Sequence, residues 1–180
     1  MRLLTAATAL ALFFVLACGQ GQAQSTPQFE IGGHFFSLGN HDIGYGQGAG
    51  GRFTYYVKDY LAVDSEIDAF WGDDGSTYAT QGQFGAMVGK RTKHFGVFAK
   101  ARPGYSTFFV VNNDYHTRPR FVFDVGGVVE GYPTRHLVLR LDVGDTILPL
   151  GAGDTVDTGR RLLRGAVHNS QVSFGLGVRF

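Results

Sequence analysis

The chain has one cysteine, Cys18, in 180 residues, and it lies in the apolar N-terminal stretch. Removal of that stretch leaves no cysteine for a disulfide framework. Proline is scarce, at 5 residues, and no run after residue 25 approaches the roughly 18 apolar residues of a membrane-spanning helix. Charge is nearly balanced, with 16 Lys and Arg against 15 Asp and Glu. No basic surface accumulates, so we expect no nucleic-acid partner.

Glycine and aromatic residues are abundant instead. The chain has 27 Gly, 16 Phe and 8 Tyr, a composition that suits many strands joined by tight turns. No convincing amphipathic helix follows residue 25. At this length the chain is expected to form one domain.

Residues 1–23 have the features of a secretory signal peptide. Arg2 is the only charge, an apolar core runs from Leu3 to Ala17, and small residues at 21–23 suit cleavage after Ala23. The sequence therefore predicts an exported protein with a mature domain at 24–180. Loss of Arg2 changes the formal net charge from +1 to 0.

A second interpretation of the leader is a lipobox at residues 15–18, Val-Leu-Ala-Cys. Cys18 would then be acylated, although Leu16 is an unusual residue at its position in that motif. Both interpretations predict that the protein leaves the cytoplasm.

The C-terminal segment 170–180 alternates between two kinds of side chain. One face carries Phe180, Val178, Leu176, Phe174 and Val172, and the other carries Arg179, Gly177, Gly175, Ser173 and Gln171. A period of two is typical of a strand whose faces meet different environments.

Seven further segments have strand character. They are 29–36, 50–57, 61–71, 83–90, 95–102, 120–130 and 136–145. Pro103 lacks the N–H that a ladder requires, so it is expected to mark a strand end or a bulge.

The connections alternate in length. The second, fourth and sixth are short turns, at about 58–60, 91–94 and 131–135, whereas the others are longer and polar, and the longest is 146–168. Antiparallel strands put alternate connections at opposite ends, so the short turns are predicted to share one end and the long loops the other.

The two faces of the predicted strands differ in charge. One is almost entirely apolar, and the other combines glycines with seven acids and seven bases: Glu30, Asp64, Glu66, Asp68, Asp124, Glu130 and Asp142, with Arg52, Arg91, Lys100, Arg102, Arg120, Arg140 and Arg179. We expect the charged set to form a network inside a barrel, because buried charges require partners. Glu66 and Asp68 are candidates to meet Lys100 and Arg102.

The terminal Phe180, the alternating last strand and the export signal resemble the small OmpA/OmpX-type outer-membrane β-barrels. This resemblance covers about residues 27–180 and implies an all-β fold, an eight-stranded antiparallel up-and-down transmembrane barrel. It also implies that Phe180 and its strand act as an assembly signal. Interfacial aromatic girdles would contain Tyr60, Tyr132 and Phe180 at the short turns, with Trp71 and Tyr105 at the long loops.

The resemblance implies a protein of the cell outer membrane, exported by the leader, of structural or surface-interaction type. Its partners would be outer-membrane lipid and lipopolysaccharide, and the outer-membrane assembly machinery through the last strand. We expect a monomer with a filled lumen, no general pore, no enzymatic activity and no cofactor.

Two clusters raise the question of chemistry. His168-Asn169-Ser170 has the His-x-Ser spacing of the lipid A deacylase family, but no acid follows Ser170, so we expect a polar loop end and no catalytic residue. The carboxylates at 64, 66 and 68 suggest a metal, but facing Arg and Lys explain them better. The six histidines lack short ligand spacing, and no metal site is predicted.

Two alternative functions remain open from the sequence. One is a lipid A-modifying barrel enzyme, an acyl hydrolase. The other is a soluble periplasmic lipocalin-like barrel, whose apolar face would line an internal ligand cavity. The two barrel classes differ in which face points outward.

Overall fold

The computed structural model describes residues 28–40, 44–72, 77–110, 119–149, 156–157, 162–163 and 165–180. The predicted leader and its Cys18 lie outside the described residues. Within the described part of the chain, no helix is long and apolar enough to cross a membrane.

Eight long strands and two short ones make up the fold. The long strands are β1 (Phe29–Asn40), β2 (Gly44–Lys58), β3 (Leu61–Gly72), β4 (Thr77–Arg91), β5 (Phe95–Val110), β6 (Arg120–Gly131), β7 (Leu137–Pro149) and β10 (Ala166–Arg179). The short strands β8 (Val156–Asp157) and β9 (Leu162–Leu163) pair with each other between β7 and β10.

The long strands form a closed barrel in the order β1-β10-β7-β6-β5-β4-β3-β2, and every neighbouring pair is antiparallel. The last strand closes it against the first, from Glu30 opposite Arg179 to Gly39 opposite Ser170. Phe180 N donates to Phe29 O at 2.9 Å, and Phe29 N donates to Phe180 O at 3.0 Å. Closure leaves no strand edge unpaired.

The apolar face of the barrel points outward. Phe35 and Ile67 are 73% and 74% exposed. The alternate apolar residues of β10 from Val172 to Val178, and Phe180 directly after it, are exposed as well. The alternating residues of the same strands point inward and are buried. This polarity is the reverse of a lipocalin, in which the apolar face lines the interior.

The long strands run further than the sequence indicates, mainly at the end opposite the short turns. β2 begins at Gly44 instead of 50, β4 at Thr77 instead of 83, and β5 ends at Val110 instead of 102. At that end only residues 41–43 separate β1 from β2, and only residues 73–76 separate β3 from β4. The predicted alternation of short and long connections therefore fails for these two connections. The long connections are 111–119 and 150–165.

Pro103 neither ends its strand nor causes a bulge, and that prediction is wrong. β5 continues through it, and the ladder with β4 is interrupted only locally, with Gln83 opposite Gly104 and Ala86 opposite Ala101 in unchanged register. On its other side Pro103 stays paired with Phe123 of β6. A single missing N–H is therefore tolerated because the flanking pairs hold the register.

Two of the short turns share one hydrogen-bond pattern. In the β4–β5 turn, Phe95 N donates to Thr92 Oγ1 at 3.2 Å. In the β6–β7 turn, Leu137 N donates to Thr134 Oγ1 at 3.0 Å. Each threonine is followed by a basic residue and a histidine, so the two turns share both a short sequence pattern and a side-chain-stabilised geometry.

Candidate functional site: the charged barrel interior

The structure buries every member of the predicted charged set except Arg120, which lies half-buried at the start of β6. The buried members come from all eight long strands, because each strand turns alternate residues inward. The predicted set did not include His34, which is 4% exposed in the interior. The interior also holds neutral polar groups. Thr54, Gln171 and Ser173 share the predicted charged face, whereas Gln81, Ser106 and Thr146 lie beyond the predicted strand ends.

Arg102 is the centre of the ionic network and is completely buried. Its Nε and Nη2 donate to Asp124 Oδ2 at 2.9 and 2.5 Å. Its Nη1 donates to Asp64 Oδ2 at 2.8 Å and also pairs with Glu66 Oε2. One guanidinium thus connects strands β3, β5 and β6 across the bore, through charge-assisted hydrogen bonds.

Two more cations extend this central cluster. Arg140 on β7 binds Asp64 with both terminal nitrogens, at 3.2 and 2.9 Å, and lies 3.3 Å from Asp142. Lys100 on β5 contacts Asp124 at 2.6 Å and also pairs with Asp142. Asp64, Asp124 and Asp142 each contact more than one Arg or Lys, which offsets the cost of burying charge.

A second layer lies toward the short turns. Arg52 binds Glu30 through Nε and Nη2 at 3.0 and 2.8 Å. The Tyr56 hydroxyl lies 2.7 Å from Glu130 Oε2 and 3.1 Å from Glu30 Oε2. This layer joins β1, β2 and β6.

Tyr132 completes that layer, and its predicted place in the outer aromatic girdle is wrong. It is 4% exposed, its hydroxyl donates to Glu130 Oε2 at 2.5 Å, and the Arg179 guanidinium lies 3.8 Å from its ring centroid. Burial, and then the negative charge of Glu130, raise the pKa of the Tyr132 hydroxyl, which keeps it a donor. The other girdle residues, Tyr60, Trp71, Tyr105 and Phe180, are exposed.

Inward-facing glycines leave room for the long basic side chains. Arg52 lies against Gly32, Gly175 and Gly177, and a Cβ at Gly32 or Gly175 would overlap its guanidinium. Lys100 lies in the same way against Gly126 and Gly144. The glycines that share the charged face are therefore part of the packing, since an eight-stranded barrel has little spare internal width.

Apolar side chains fill the remaining space. Tyr56, Ala62, Met87, Phe98 and Val128 form one buried cluster, and Val122, Leu148 and Val167 form another toward the loop end. The interior is thus a packed core of ionic and apolar layers along the described strands.

The predicted cross-lumen pairs are realised only in part. Glu66 meets Arg102, whereas Lys100 pairs with Asp124 and Asp142 and not with either predicted acid. Asp68 instead contacts His34, whose Nε2 lies 2.9 Å from both Asp68 Oδ1 and Glu66 Oε1. His34 has the same inward parity as Glu30 and Phe36, which is the sequence signal that could have identified it.

The His-x-Ser pair lies outside the lumen, near the loop end of β10. His168 Nδ1 lies 2.5 Å from Asp145 Oδ2 on β7, and Asp145 is the cross-strand neighbour of Ser170. The acid that the sequence lacks after Ser170 is therefore supplied by the preceding long strand. His168 and Ser170 are both exposed.

Comparison by sequence finds no match to any family model and no match among curated proteins. Solved structures do match. Neisserial surface protein A aligns with a TM-score of 0.57 at 14% identity, covering 87% of this chain and 98% of that one. OprG from Pseudomonas aeruginosa aligns at 0.54 and 11%, covering 89% and 99%. Ail of Yersinia pestis aligns at 0.52 and 12%, covering 85% and 97%.

Likeness at these identities concerns the fold. The matched chains are aligned over nearly their whole length, so the shared feature is the complete barrel. The fold predicted from the sequence is confirmed: the chain is a closed eight-stranded antiparallel barrel of the kind found in small outer-membrane proteins.

Proposed function

We propose that the chain is an integral outer-membrane β-barrel protein of structural or surface-interaction type, without enzymatic activity and without a general pore. The observation that carries this proposal is the polarity of the barrel wall. Large apolar side chains cover the outside while the charges are buried inside. A continuous apolar exterior of this kind suits a lipid environment and would aggregate in water.

Lipid and lipopolysaccharide are the partners that such an exterior would contact. Exposed Tyr60 and Phe180 lie near the short turns, and exposed Trp71 and Tyr105 lie toward the other end, which suits two interfacial belts. The barrel closes with strands of a single chain, which supports a monomer. The last strand would be the segment that the assembly machinery reads.

Surface interaction is supported by the two long connections. They connect strand ends that lie at the same end of the barrel, opposite the short turns: β5 to β6, and β7 to β10. Among the similar structures, one is a Neisserial surface protein and another is the attachment invasion locus protein of Yersinia pestis. A partner for this chain would be bound at that end of the barrel.

Membrane fractionation of the untagged protein tests this proposal. We expect it in the outer-membrane fraction, resistant to carbonate extraction, soluble only with detergent, and migrating faster on gels when unheated. Protease added to intact cells should cut within 150–165 and leave the turns uncut. Recovery as a detergent-free soluble protein would instead favour the lipocalin-like alternative.

A second candidate, an acyl hydrolase acting on lipid A, is favoured by one observation. Asp145 holds His168 at 2.5 Å beside Ser170, on the outer face where lipid would lie. In such a reaction Ser170 would attack an ester carbonyl while His168 accepts its proton.

Mass spectrometry of lipid A separates the two candidates. The hydrolase predicts loss of one acyl chain in cells that produce the protein, and no loss with Ser170→Ala. Identical lipid A with and without the wild-type protein would eliminate this candidate and leave the non-enzymatic proposal intact.

A further inference from the structure

Three potential metal ligands lie close together inside the barrel, on the loop side of the central cluster around Arg102. His34 Nε2 lies 2.9 Å from Glu66 Oε1 and 2.9 Å from Asp68 Oδ1. All three side chains are buried, and their donor atoms lie within 4.8 Å of one another. In a tetrahedral zinc site, metal–nitrogen and metal–oxygen bonds of about 2.0–2.2 Å put two ligand atoms about 3.4 Å apart. The observed separations are hydrogen-bond distances, so the donor atoms would move apart by about half an ångström to bind an ion.

A glycine creates the space in which these side chains meet. Gly50 on β2 is the ladder neighbour of His34 on one side and of Asp68 on the other. A Cβ on Gly50 would overlap Asp68 Oδ1 and approach the His34 ring at 2.8 Å. His34 and Asp68 can therefore reach each other across β2 only because residue 50 has no side chain.

Asp68 has no Arg or Lys as an ion-pair partner among the described residues. Among the described residues, each of the other buried acids pairs with at least one Arg or Lys, whereas the only charged partner of Asp68 is His34. Arg102 contacts Glu66 through Oε2, so Oε1 is left facing His34. This corner of the lumen therefore carries excess negative charge whenever the His34 imidazole is neutral.

Unpartnered polar atoms surround the same corner. Within the described part of the chain, Asp68 Oδ2 and both amide atoms of Gln83 have no hydrogen-bond partner. Gln83 is 4% exposed and is the ladder neighbour of Glu66. Buried polar atoms without partners are costly unless an ion or water satisfies them.

We propose that His34, Glu66 and Asp68 bind a divalent transition-metal ion, with Zn²⁺ as the best match. One imidazole nitrogen and two carboxylate oxygens form a mixed donor set that suits zinc. Gln83, the ladder neighbour of Glu66 with an unpartnered amide oxygen, is a candidate for a further ligand. The ion would bridge β1 and β3 across β2, and would stabilise the barrel wall from inside.

Zinc retention by the refolded full chain tests this site. The untagged protein is unfolded in urea, refolded into detergent with excess ZnCl₂, passed over a chelating resin, and analysed for zinc by mass spectrometry. We expect about one tightly held zinc per chain in the wild type, and less than about a tenth of that in Asp68→Asn. His168→Gln is the matched control, since it removes an exposed histidine that also pairs with an aspartate; it should retain zinc fully.

Wild-type protein that folds and retains no zinc would overturn the proposal, as would full retention by folded Asp68→Asn. If Asp68→Asn does not fold, the coordination shell of zinc in the wild type is measured by X-ray absorption spectroscopy at the zinc edge. A single imidazole in an otherwise oxygen shell supports the site, and two imidazoles or none contradict it. None of these outcomes changes the membrane fractionation result, so the two proposals fail separately.

Discussion

At the scale of single residues, Arg102 has the largest share of the interior network. It contacts carboxylates on β3 and β6 while being fully buried itself. Removing one partner from a buried ion pair leaves charges without compensation, which costs more than the pair contributes. The expected effect is large because Asp64, Glu66 and Asp124 lose a close partner together, and Asp142 loses one at 3.7 Å.

Replacing Arg102 with methionine should therefore lower the free energy of unfolding by about 3–5 kcal/mol. The measurement is urea-induced unfolding of the refolded barrel in lipid vesicles. Lys93→Met, in the exposed β4–β5 turn, is the matched control and should change stability by less than about 0.5 kcal/mol. Equal effects of the two variants would show that the network does not stabilise the barrel.

Two leucines on the outer face of β7 test whether that face contacts lipid, because they lie at different depths along the strand. Leu141→Arg, well within the strand, should cost about 2–4 kcal/mol in vesicles, whereas Leu137→Arg, next to the turn, should cost about 0–1 kcal/mol. Both leucines are exposed on the same face. If the two arginine variants refold equally well into vesicles, the outer face does not meet the membrane core as assigned.

At the scale of elements, β10 both closes the barrel and ends the chain. Phe180 is 40% exposed and its ring stacks on Phe29 with centroids 6.0 Å apart. Its backbone, not its side chain, makes the closing hydrogen bonds. Loss of the ring alone should therefore leave the finished barrel nearly unchanged.

We expect Phe180→Ala to reduce outer-membrane levels in cells several-fold while leaving refolding in vitro close to that of the wild type. Phe174→Ala, on the same face of the same strand and 56% exposed, is the control and should behave alike in both assays. Equal losses for Phe180→Ala in cells and in vitro would assign the residue to packing and remove its role as an assembly signal.

The strands show where sequence reasoning works and where it stops. Alternation marks the strand portions that face apolar surroundings, so the turn-side ends of β3, β5 and β10 were predictable. It fades in segments such as 44–49, where glycines dominate and pairing alone extends the strand. The outer-girdle prediction for Tyr132 is wrong because strand alternation does not continue through a turn. It therefore cannot show whether a turn residue points into the barrel or out of it.

At the scale of the whole molecule, barrel closure decides which charges meet. The sequence predicts that the charged residues share one face, but it does not predict their partners. Lys100 pairs with Asp124 and Asp142, and Asp68 pairs with His34. These pairings depend on the stagger of all eight strands, which no local pattern encodes. The same stagger brings Asp145 beside His168, although 23 residues separate them in sequence.

Side chains occupy the interior at several levels along the described strands. Ion pairs centred on Arg102 and Arg140 cross the lumen, the Glu30–Arg52 and Tyr132 layer lies on the turn side, and Val122, Leu148 and Val167 pack on the loop side. An eight-stranded barrel is only just wide enough for such side chains. Water and small solutes should therefore lack a continuous path through it.

Single-channel recording in a planar bilayer tests this central claim most directly. The refolded wild-type protein should insert without steady, large openings of porin size, and its conductance should stay near that of the bare bilayer. Steady porin-like openings from verified folded protein would contradict the charge-filled lumen and would move the function toward solute uptake.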